Sequence, residues 1–529
     1  MRTSKKILKK LANKSILILG FGREGQSTYQ FLRKHFPKKT LTIADQRSLN
    51  KIDQKVKQII KKDQFLKLNL GQNYLQNIEK FDLIFKTPGI PGHLKELQTA
   101  KKNKALISSN TQLFFEIIKA ANQEKLASRP ALKAKQKKFP ALIEAKNIIT
   151  IGITGTKGKS TTSSLVHHLL KVAGLDAVLL GNIGSPPLSK LDQIKSKSIV
   201  IIELSSHQLA DLNISPQIAI IQNISSEHLD YYNSTEEYVA AKSSITKYQK
   251  DRKYKVICND SFPKTKKIAK LSQGQHFKFA LKAKNDSIVY IKDNFVIVNK
   301  KILKIVQTKQ SIPSQTPAPC KEEVKIIAIK DIPLIGKHNL QNVMPAVLVA
   351  RLFGISKQQI AQGIKSFKSL AHRLQLVAEI KGVKYYNDSL ATMPDATISA
   401  LQGFDSGKII LLAGGYERKQ DFHDLAKEIL KRKVKSLILF PTTGKRIWQA
   451  VKEQASTIQK KPGKSQKLQT LSLPKVNFVK DMRQAIKIAH SQAKTGDVVL
   501  LSPASASFGM FIDYRDRGEQ FASQAKNLS

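Results

Sequence analysis

The segment GITGTKGKSTT, Gly152 to Thr162, sets Gly155, Gly158, Lys159, Ser160 and Thr161 between an apolar run (NIITIGIT) and an amphipathic helical pattern (TTSSLVHHLLKVAG). A phosphate-binding loop requires that order. Backbone N–H groups of such a loop point at phosphate oxygens, its lysine supplies positive charge, and its hydroxyl can ligate Mg2+. The spacing departs from G-x-x-x-x-G-K-[ST], because the position five before Gly158 is Ile153. A glycine-rich turn with an incidental lysine is the weaker alternative, since strand, loop and helix all stand in sequence.

Three further groups bear on chemistry. GFGREG, Gly20 to Gly25, follows an apolar run and precedes a helical one, and Asp45 ends the next apolar run about 20 residues on. A diphosphate site at a helix N-terminus and glycines serving only close packing are equally good readings of it. Glu203 ends the run SIVIIE, at the strand end where open parallel sheets bind ligands. Its carboxylate reads as a Mg2+ ligand or, with the following LSS, as part of a helix cap; taken alone, the cap is favoured. NISSEHLDYYNSTEEYVAAKSSI holds His228, Asp230 and Lys242, each of which by itself reads as structural or solvated.

These residues need elements to position them. Runs rich in β-branched residues recur as SILILGFG, FDLIFKTPG, IITIGITG, SIVIIELSS, KIILLAGG, KSLILFP and DVVLLSPAS, each followed by a turn and a helical pattern. Such runs predict parallel sheets covered on both faces, an α/β architecture repeated along the chain. A chain of 529 residues has room for three or four domains. Residues 118–147 read as a basic, helical connector or surface insertion. Residues 260–330 are weakly patterned and contain the proline-rich loop QTKQSIPSQTPAPCKEE, and KKPGKSQKLQ near 460 reads as an exposed loop.

Composition excludes several classes. No apolar run approaches the roughly 20 residues that cross a bilayer. The basic start MRTSKKILKKLANK leads through SILILGFG into a glycine turn, not to a small-residue cleavage site. Two cysteines, Cys258 and Cys320, make neither a disulfide framework nor a zinc spacing and fit a reducing cytoplasm. The net charge of +51 comes from lysines scattered along the whole chain. With no arginine-rich tail or aromatic-interleaved patch, it reads as a solvated surface that attracts anionic substrates.

Taken in order, TGTKGKST, GNIG (Gly181–Gly184), ELSS, NISSEHLDYY, AAK, GKHNLQN, AHR, NDSLAT and SPASASF resemble the motifs of the ATP-dependent muramyl-peptide (Mur) ligases of peptidoglycan synthesis. The resemblance runs from about residue 15 to the end, and that family's loop, T-G-T-x-G-K-[ST]-T, accounts for the missing glycine. GFGREGQS, ADQR, KTPGI and the ending LLSPASASFGMFIDYRDRGEQF are most similar to members that join D-glutamate to UDP-N-acetylmuramoyl-L-alanine. The resemblance implies an α/β chain of three domains: an N-terminal Rossmann-like domain for the UDP substrate (1–109), a central P-loop ATPase-like parallel sheet carrying the basic connector (110–370), and a C-terminal Rossmann-like domain for the amino acid (371–529). It also implies activation of a carboxylate by ATP to an acyl phosphate, which the amine of D-glutamate attacks.

The resemblance further assigns roles. Lys159, Glu203, His228 and Lys242 are implied to be catalytic. ATP is implied to lie on Gly155, Thr156, Lys157, Gly158, Lys159, Ser160, Thr161, Asn339, Asn342, His372, Arg373 and Asp388. Two Mg2+ sites are implied, one on Ser160 and Glu203 and one on His228, supported by Lys242 as a carbamate. Gly22, Arg23, Glu24, Asp45, Arg47, Thr87, Gly89 and Asn182 are implied to hold the UDP substrate, and Thr392, Arg418, Ser507 and Tyr514 the amino acid. NDSLAT departs from some relatives by having Leu390 in place of lysine, and Lys419 is an extra cation beside Arg418. The expected protein is a cytoplasmic monomer without membrane insertion or specific nucleic-acid binding. The alternatives are a Mur ligase for another amino acid and, from a different class, a basic nucleic-acid-binding protein. A nicotinamide-dependent oxidoreductase leaves Lys159, Glu203 and His228 idle.

Overall fold

The computed structural model describes residues 4–127, 147–225, 231–232, 234–283, 286–299, 323–459 and 472–528. Three sheets organise them. The first contains β1 (Ile16–Leu19), β2 (Leu41–Asp45), β3 (Leu66–Leu70), β4 (Leu83–Lys86) and β5 (Leu106–Ser108), all parallel in the order β3-β2-β1-β4-β5. Its helices are α1 (Lys5–Ala12), α2 (Arg23–His35), α3 (Gln54–Lys62), α4 (Lys95–Lys102) and α5 (Asn110–Ala127). Ile16 and Ile18 enter one apolar core while Leu17 and Leu19 enter another. Both faces of the strand are therefore buried, which is why the sequence there is apolar without alternation.

The central sheet contains β6 (Ile149–Thr154), β7 (Ala177–Gly181), β8 (Ile199–Glu203), β9 (Ile218–Ile221), β10 (Lys255–Asn259), β11 (Gln275–Lys282), β12 (Ser287–Lys292), β13 (Phe295–Asn299) and β14 (Glu323–Ala328). The order is β14-β13-β12-β11-β10-β9-β6-β8-β7, parallel except at β12–β13–β14. The weakly patterned stretch from 260 onward thus contributes four strands. β12 and β13 form a hairpin turned by Asp293 and Asn294, both at positive φ (48° and 58°). That is the turn chemistry asparagine and aspartate favour, and it is carried by only two residues.

The third sheet contains β15 (Gln375–Ile380), β16 (Val383–Asn387), β17 (Ile409–Gly414), β18 (Ser436–Phe440), β19 (Lys475–Phe478) and β20 (Val498–Leu501), in the order β15-β16-β20-β17-β18-β19. Only β15–β16 is antiparallel. The chain divides into two compact units, Met1–Ile329 with Gln341–Ile364, and Lys330–Leu340 with Lys365–Ser529. The first two sheets share the first unit, where one core cluster runs from Phe31 and Phe114 to Leu188, Ile202 and Tyr238. Of the expected connector, residues up to 127 belong to α5, and 128–146 lie outside the described residues.

Candidate active site

β6 lies between β8 and β9 in the central sheet and is buried along all six residues. It delivers the phosphate loop to the end of the sheet where β8 delivers Glu203. Backbone bonds fix the loop: Thr156 N–H donates to Asn223 O at 2.7 Å and Lys157 N–H to Asn223 Oδ1 at 2.9 Å. Gly158 has φ +86°, and a Cβ there would stand 2.2 Å from Asn342 Oδ1. A glycine is required on both counts. Lys159 opens the helix Lys159–Val172, and its ammonium bends back to donate to Gly155 O and Thr156 O, both at 2.8 Å.

Glu203 is 1 % exposed. Asn182 Nδ2 donates to its Oε1 at 3.2 Å, while its Oε2 is buried with no hydrogen-bond partner, as is Thr161 Oγ1 in the loop. The helix cap foreseen in ELSS does form, but Ser205 and Gln208 make it as a reciprocal capping box. Glu203 takes no part in it. Lys242 comes from the helix Thr235–Lys247. It is 1 % exposed, donates to Gly155 O at 3.1 Å and lies 4.6 Å from the centre of the Tyr238 ring. Tyr238 Oη in turn bonds Thr156 Oγ1 at 3.0 Å. Lysine, tyrosine and loop are therefore one packed group. His228 and Asp230 lie outside the described residues.

The N-terminal sheet brings GFGREG to the same unit. A Cβ on Gly25 would meet Gly20 O at 2.1 Å, so this glycine lets α2 approach the strand end. The close-packing reading of the motif is correct for that position. Asp45 accepts from Phe21 N–H at 2.7 Å and from both Arg47 Nε and Nη2 at 2.9 Å. Burial alone would raise its pKa, but the Arg47 fork and the two backbone N–H bonds hold it below the ordinary value. Arg23 Nη2 donates to Gly184 O at 2.5 Å, which joins GFGREG to GNIG. Thr87 Oγ1 donates to Leu19 O at 3.1 Å, and Gly89 is exposed. The lysine beside Thr87, Lys86, is buried against Asp211 at 2.7 Å and ties β4 to the central domain.

Glu24, expected to hold the UDP substrate, accepts from Gln208 Nε2 at 2.7 Å, and its other oxygen is buried without a hydrogen-bond partner. Burial pushes its pKa from 4.5 up to about 7, against the opposing pull of Gln208 and Lys86. Below pH 4.5 the folded and unfolded chains both hold this proton. Between 4.5 and 7 only the folded chain does, so stability present in acid is lost as pH rises through that window. The loss is on the order of 3 kcal/mol. Glu24→Gln is expected to flatten the fall in urea midpoint between pH 5 and pH 8; an unchanged slope would contradict the assignment.

In the second unit, β16 and β20 end beside Asp388, which is buried and accepts from Leu374 N–H at 3.2 Å and Ser502 Oγ at 2.8 Å. Burial pushes its pKa up to about 7. His372 sits at φ +62° with its ring edge-on to Tyr514, and burial lowers its pKa. Arg373 follows it. Ser507 is buried, Thr392 O accepts from Gln420 Nε2 at 2.9 Å, and the Arg418 guanidinium stands 5.5 Å from the centre of the Phe508 ring. Leu390 is half-buried. Asn339 belongs to this unit and donates to Ile335 O at 2.6 Å, whereas Asn342 packs on Gly158 in the first.

Sequence reasoning passed over Arg517, which is fully buried. Its Nε donates to Ser389 Oγ, Nη2 to Ser389 O and Nη1 to Ser505 O, at 2.8–3.0 Å. It clamps NDSLAT to SPASAS, the segments that carry Thr392 and Ser507. Burial pulls its pKa down to about 10, so it remains a cation at neutral pH. Arg517→Lys keeps the charge but loses the planar fork. It is expected to lower stability by about 2–4 kcal/mol and to raise the KM for the amino acid more than that for ATP; equal changes in the two would contradict the clamp. Gln222 was also passed over. It reaches both Thr162 Oγ1 and Gln341 O from the end of β9.

Comparison with known proteins matches these parts one by one. Residues 14–109 match the MurD-like N-terminal domain of Mur ligases, 153–350 the Mur ligase middle domain, and 372–505 the Mur ligase glutamate ligase domain. The UDP-N-acetylmuramoylalanine--D-glutamate ligase of Acetivibrio thermocellus is 32 % identical over 97 % of this chain and 96 % of its own. The ligase of the same name from Clostridium tetani is 32 % identical over 98 % and 97 %. A MurF ligase from Thermotoga maritima, solved with ADP, has a TM-score of 0.52 at 16 % identity, covering 99 % of this chain and 100 % of that one. Its likeness concerns the fold. With all three domain profiles matched in order and relatives of this identity over nearly the whole length, the chain belongs to the Mur ligase family.

Proposed function

We propose that the chain joins D-glutamate to UDP-N-acetylmuramoyl-L-alanine at the expense of ATP, in peptidoglycan precursor synthesis in the cytoplasm, as a monomer. The observation that carries the mechanism is the convergence of three groups at the exit ends of the central strands: Lys159 on its loop, Glu203 with one oxygen unpartnered, and Lys242 packed under Gly155.

The residues fit a divalent cation. Glu203 Oε2 and Thr161 Oγ1 are buried oxygens without hydrogen-bond partners, and Ser160 stands beside Thr161 in the first turn of the same helix. Oxygen donors of this kind suit Mg2+. Glu203 with Ser160 would hold one ion, and His228, supported by Lys242 as a carbamate, would hold a second. Bound Mg2+ would neutralise phosphate charge while two anions approach.

The loop N–H groups and Lys159 bind the β- and γ-phosphates of ATP. The Asp45–Arg47 pair and the glycine turn hold the uridine diphosphate end of the substrate and Asn182 its muramoyl part; the substrate carboxylate attacks the γ-phosphorus, ADP leaves and an acyl phosphate forms. Thr392, Arg418, Ser507 and Tyr514 hold D-glutamate, whose neutral amine attacks the acyl carbon. The tetrahedral intermediate collapses with loss of phosphate and a proton, giving the amide. Asn342, Asn339, His372, Arg373 and Asp388 complete the ATP contacts in this reading.

An isotope experiment tests the acyl phosphate. With both oxygens of the substrate carboxylate labelled as 18O, one label is expected in the released phosphate and one in the amide product. Unlabelled phosphate would contradict activation of the carboxylate by phosphoryl transfer.

A further inference from the structure

We propose that the strand-entry edge of the N-terminal sheet docks the protein peripherally on an anionic phospholipid surface. All five strands are parallel, so they enter from one edge, and each entry is marked by lysine. Lys14 precedes β1, Lys38 and Lys39 precede β2, and Lys61 and Lys62 precede β3. Lys80 precedes β4, and Lys101, Lys102 and Lys104 precede β5. Of these, all but Lys14 and Lys39 are exposed. α1 adds four exposed lysines, and its end touches this edge, where Lys39 Nζ donates to Ala12 O at 2.7 Å.

Fewer acidic residues than lysines stand at this edge: Asp63, paired with Arg33; Asp82, which faces Lys14 at 3.9 Å; Glu124, bonded by Ser4; and the half-buried Glu79 and Glu116. The exit edge of the same sheet is different. Its turns GFGR, QRS, GQN, TPG and SSN carry two arginines and no lysine. The exposed cations named at the entry edge are lysines; Arg33 there is paired with Asp63, and Phe36, Phe65 and Phe81 are half-buried. Such an array does not present the exposed forks and stacking platforms that nucleic-acid sites use, and it suits delocalised attraction to anionic headgroups.

A second observation points to lipid. Leu106, the first residue of β5, is 45 % exposed among Lys101, Lys102 and Lys104. It borders a cavity of about 120 Å3 lined by Ile7, Leu11 and Leu83 and also by the polar Lys10, Gln112, Glu116 and Asn213. An exposed leucine among lysines matches an interface whose surface is anionic and whose next layer is hydrocarbon.

Flotation of the full chain with phosphatidylglycerol-rich vesicles at ~0.1 M salt tests this, with phosphatidylcholine vesicles and duplex DNA as parallel probes. Binding to the first vesicles alone, lost at high salt, is expected. Each lysine near such a surface contributes about five-fold in affinity, so Lys61→Gln/Lys101→Gln/Lys102→Gln should weaken binding roughly a hundred-fold. The equally charged variant Lys267→Gln/Lys270→Gln/Lys452→Gln, at exposed positions elsewhere, should change it only a few-fold. Leu106→Ser should weaken vesicle binding and leave DNA retention unchanged. Equal losses in the two lysine triples, tighter binding to DNA than to vesicles, or no effect of Leu106→Ser would each overturn the proposal. Unchanged ligase activity and melting temperature in the variants show that they fold.

Discussion

Lys242→Ala is expected to lower kcat by about 10²–10³-fold, the usual cost of removing one group that stabilises charge at a reacting centre, with bicarbonate, acetate or formate restoring part of the rate. The argument starts from burial. Lys242 is 1 % exposed and its ammonium is packed against Gly155 O and the Tyr238 ring, next to a loop built to hold phosphates. A long cation in such a place would serve phosphate binding directly, or it would serve a cation as the carbamate formed with CO2. The two roles separate experimentally. If Lys242 acts as an ammonium, small carboxylates cannot replace it. If it acts as a carbamate, a carboxylate that enters the space left by the side chain supplies the missing anion. Lys242→Met fills that space and should be equally slow but not rescued. Full activity in Lys242→Ala would contradict either role.

Lys159→Ala is expected to be at least as damaging, by about 10³-fold in kcat/KM for ATP, for loss of a charge-assisted contact made to the transferring phosphoryl group. The lysine is half-exposed, stands at the first turn of its helix and donates to the backbone carbonyls of Gly155 and Thr156. Its removal should therefore leave the melting temperature within a few degrees of the parent. A large loss of stability with proportionate loss of activity would make it a structural residue. Lys159→Arg should not rescue, because the longer planar fork cannot fold back onto Gly155 and Thr156 in the same way.

How much of this was legible in the sequence follows from what each residue depends on. The phosphate loop was legible because strand, glycines, lysine and helix are consecutive, and a local motif carries its own geometry. Glu203 was not legible from its own motif, because ELSS taken alone favours a cap over a ligand. In the structure Ser205 and Gln208 make the cap, and one Glu203 carboxylate oxygen is left without a hydrogen-bond partner. Glu24 was read with its motif as a substrate contact, and the bond to Gln208, 184 residues away, was not foreseen. No local pattern reveals such a pairing. Arg517 was invisible for a different reason: in a chain with 90 basic residues, one more arginine reads as surface. The β12–β13 hairpin was missed because its turn is announced only by Asp293 and Asn294, inside a stretch read as weakly patterned.

The central claim is tested most directly by the amino-acid dependence of phosphate release from ATP in the presence of UDP-N-acetylmuramoyl-L-alanine. D-glutamate should stimulate release strongly, with one ADP, one phosphate and one amide formed per turnover. L-alanine, L-glutamate and diamino acids should give little. Stimulation by another amino acid in place of D-glutamate, or none by any, would contradict the account.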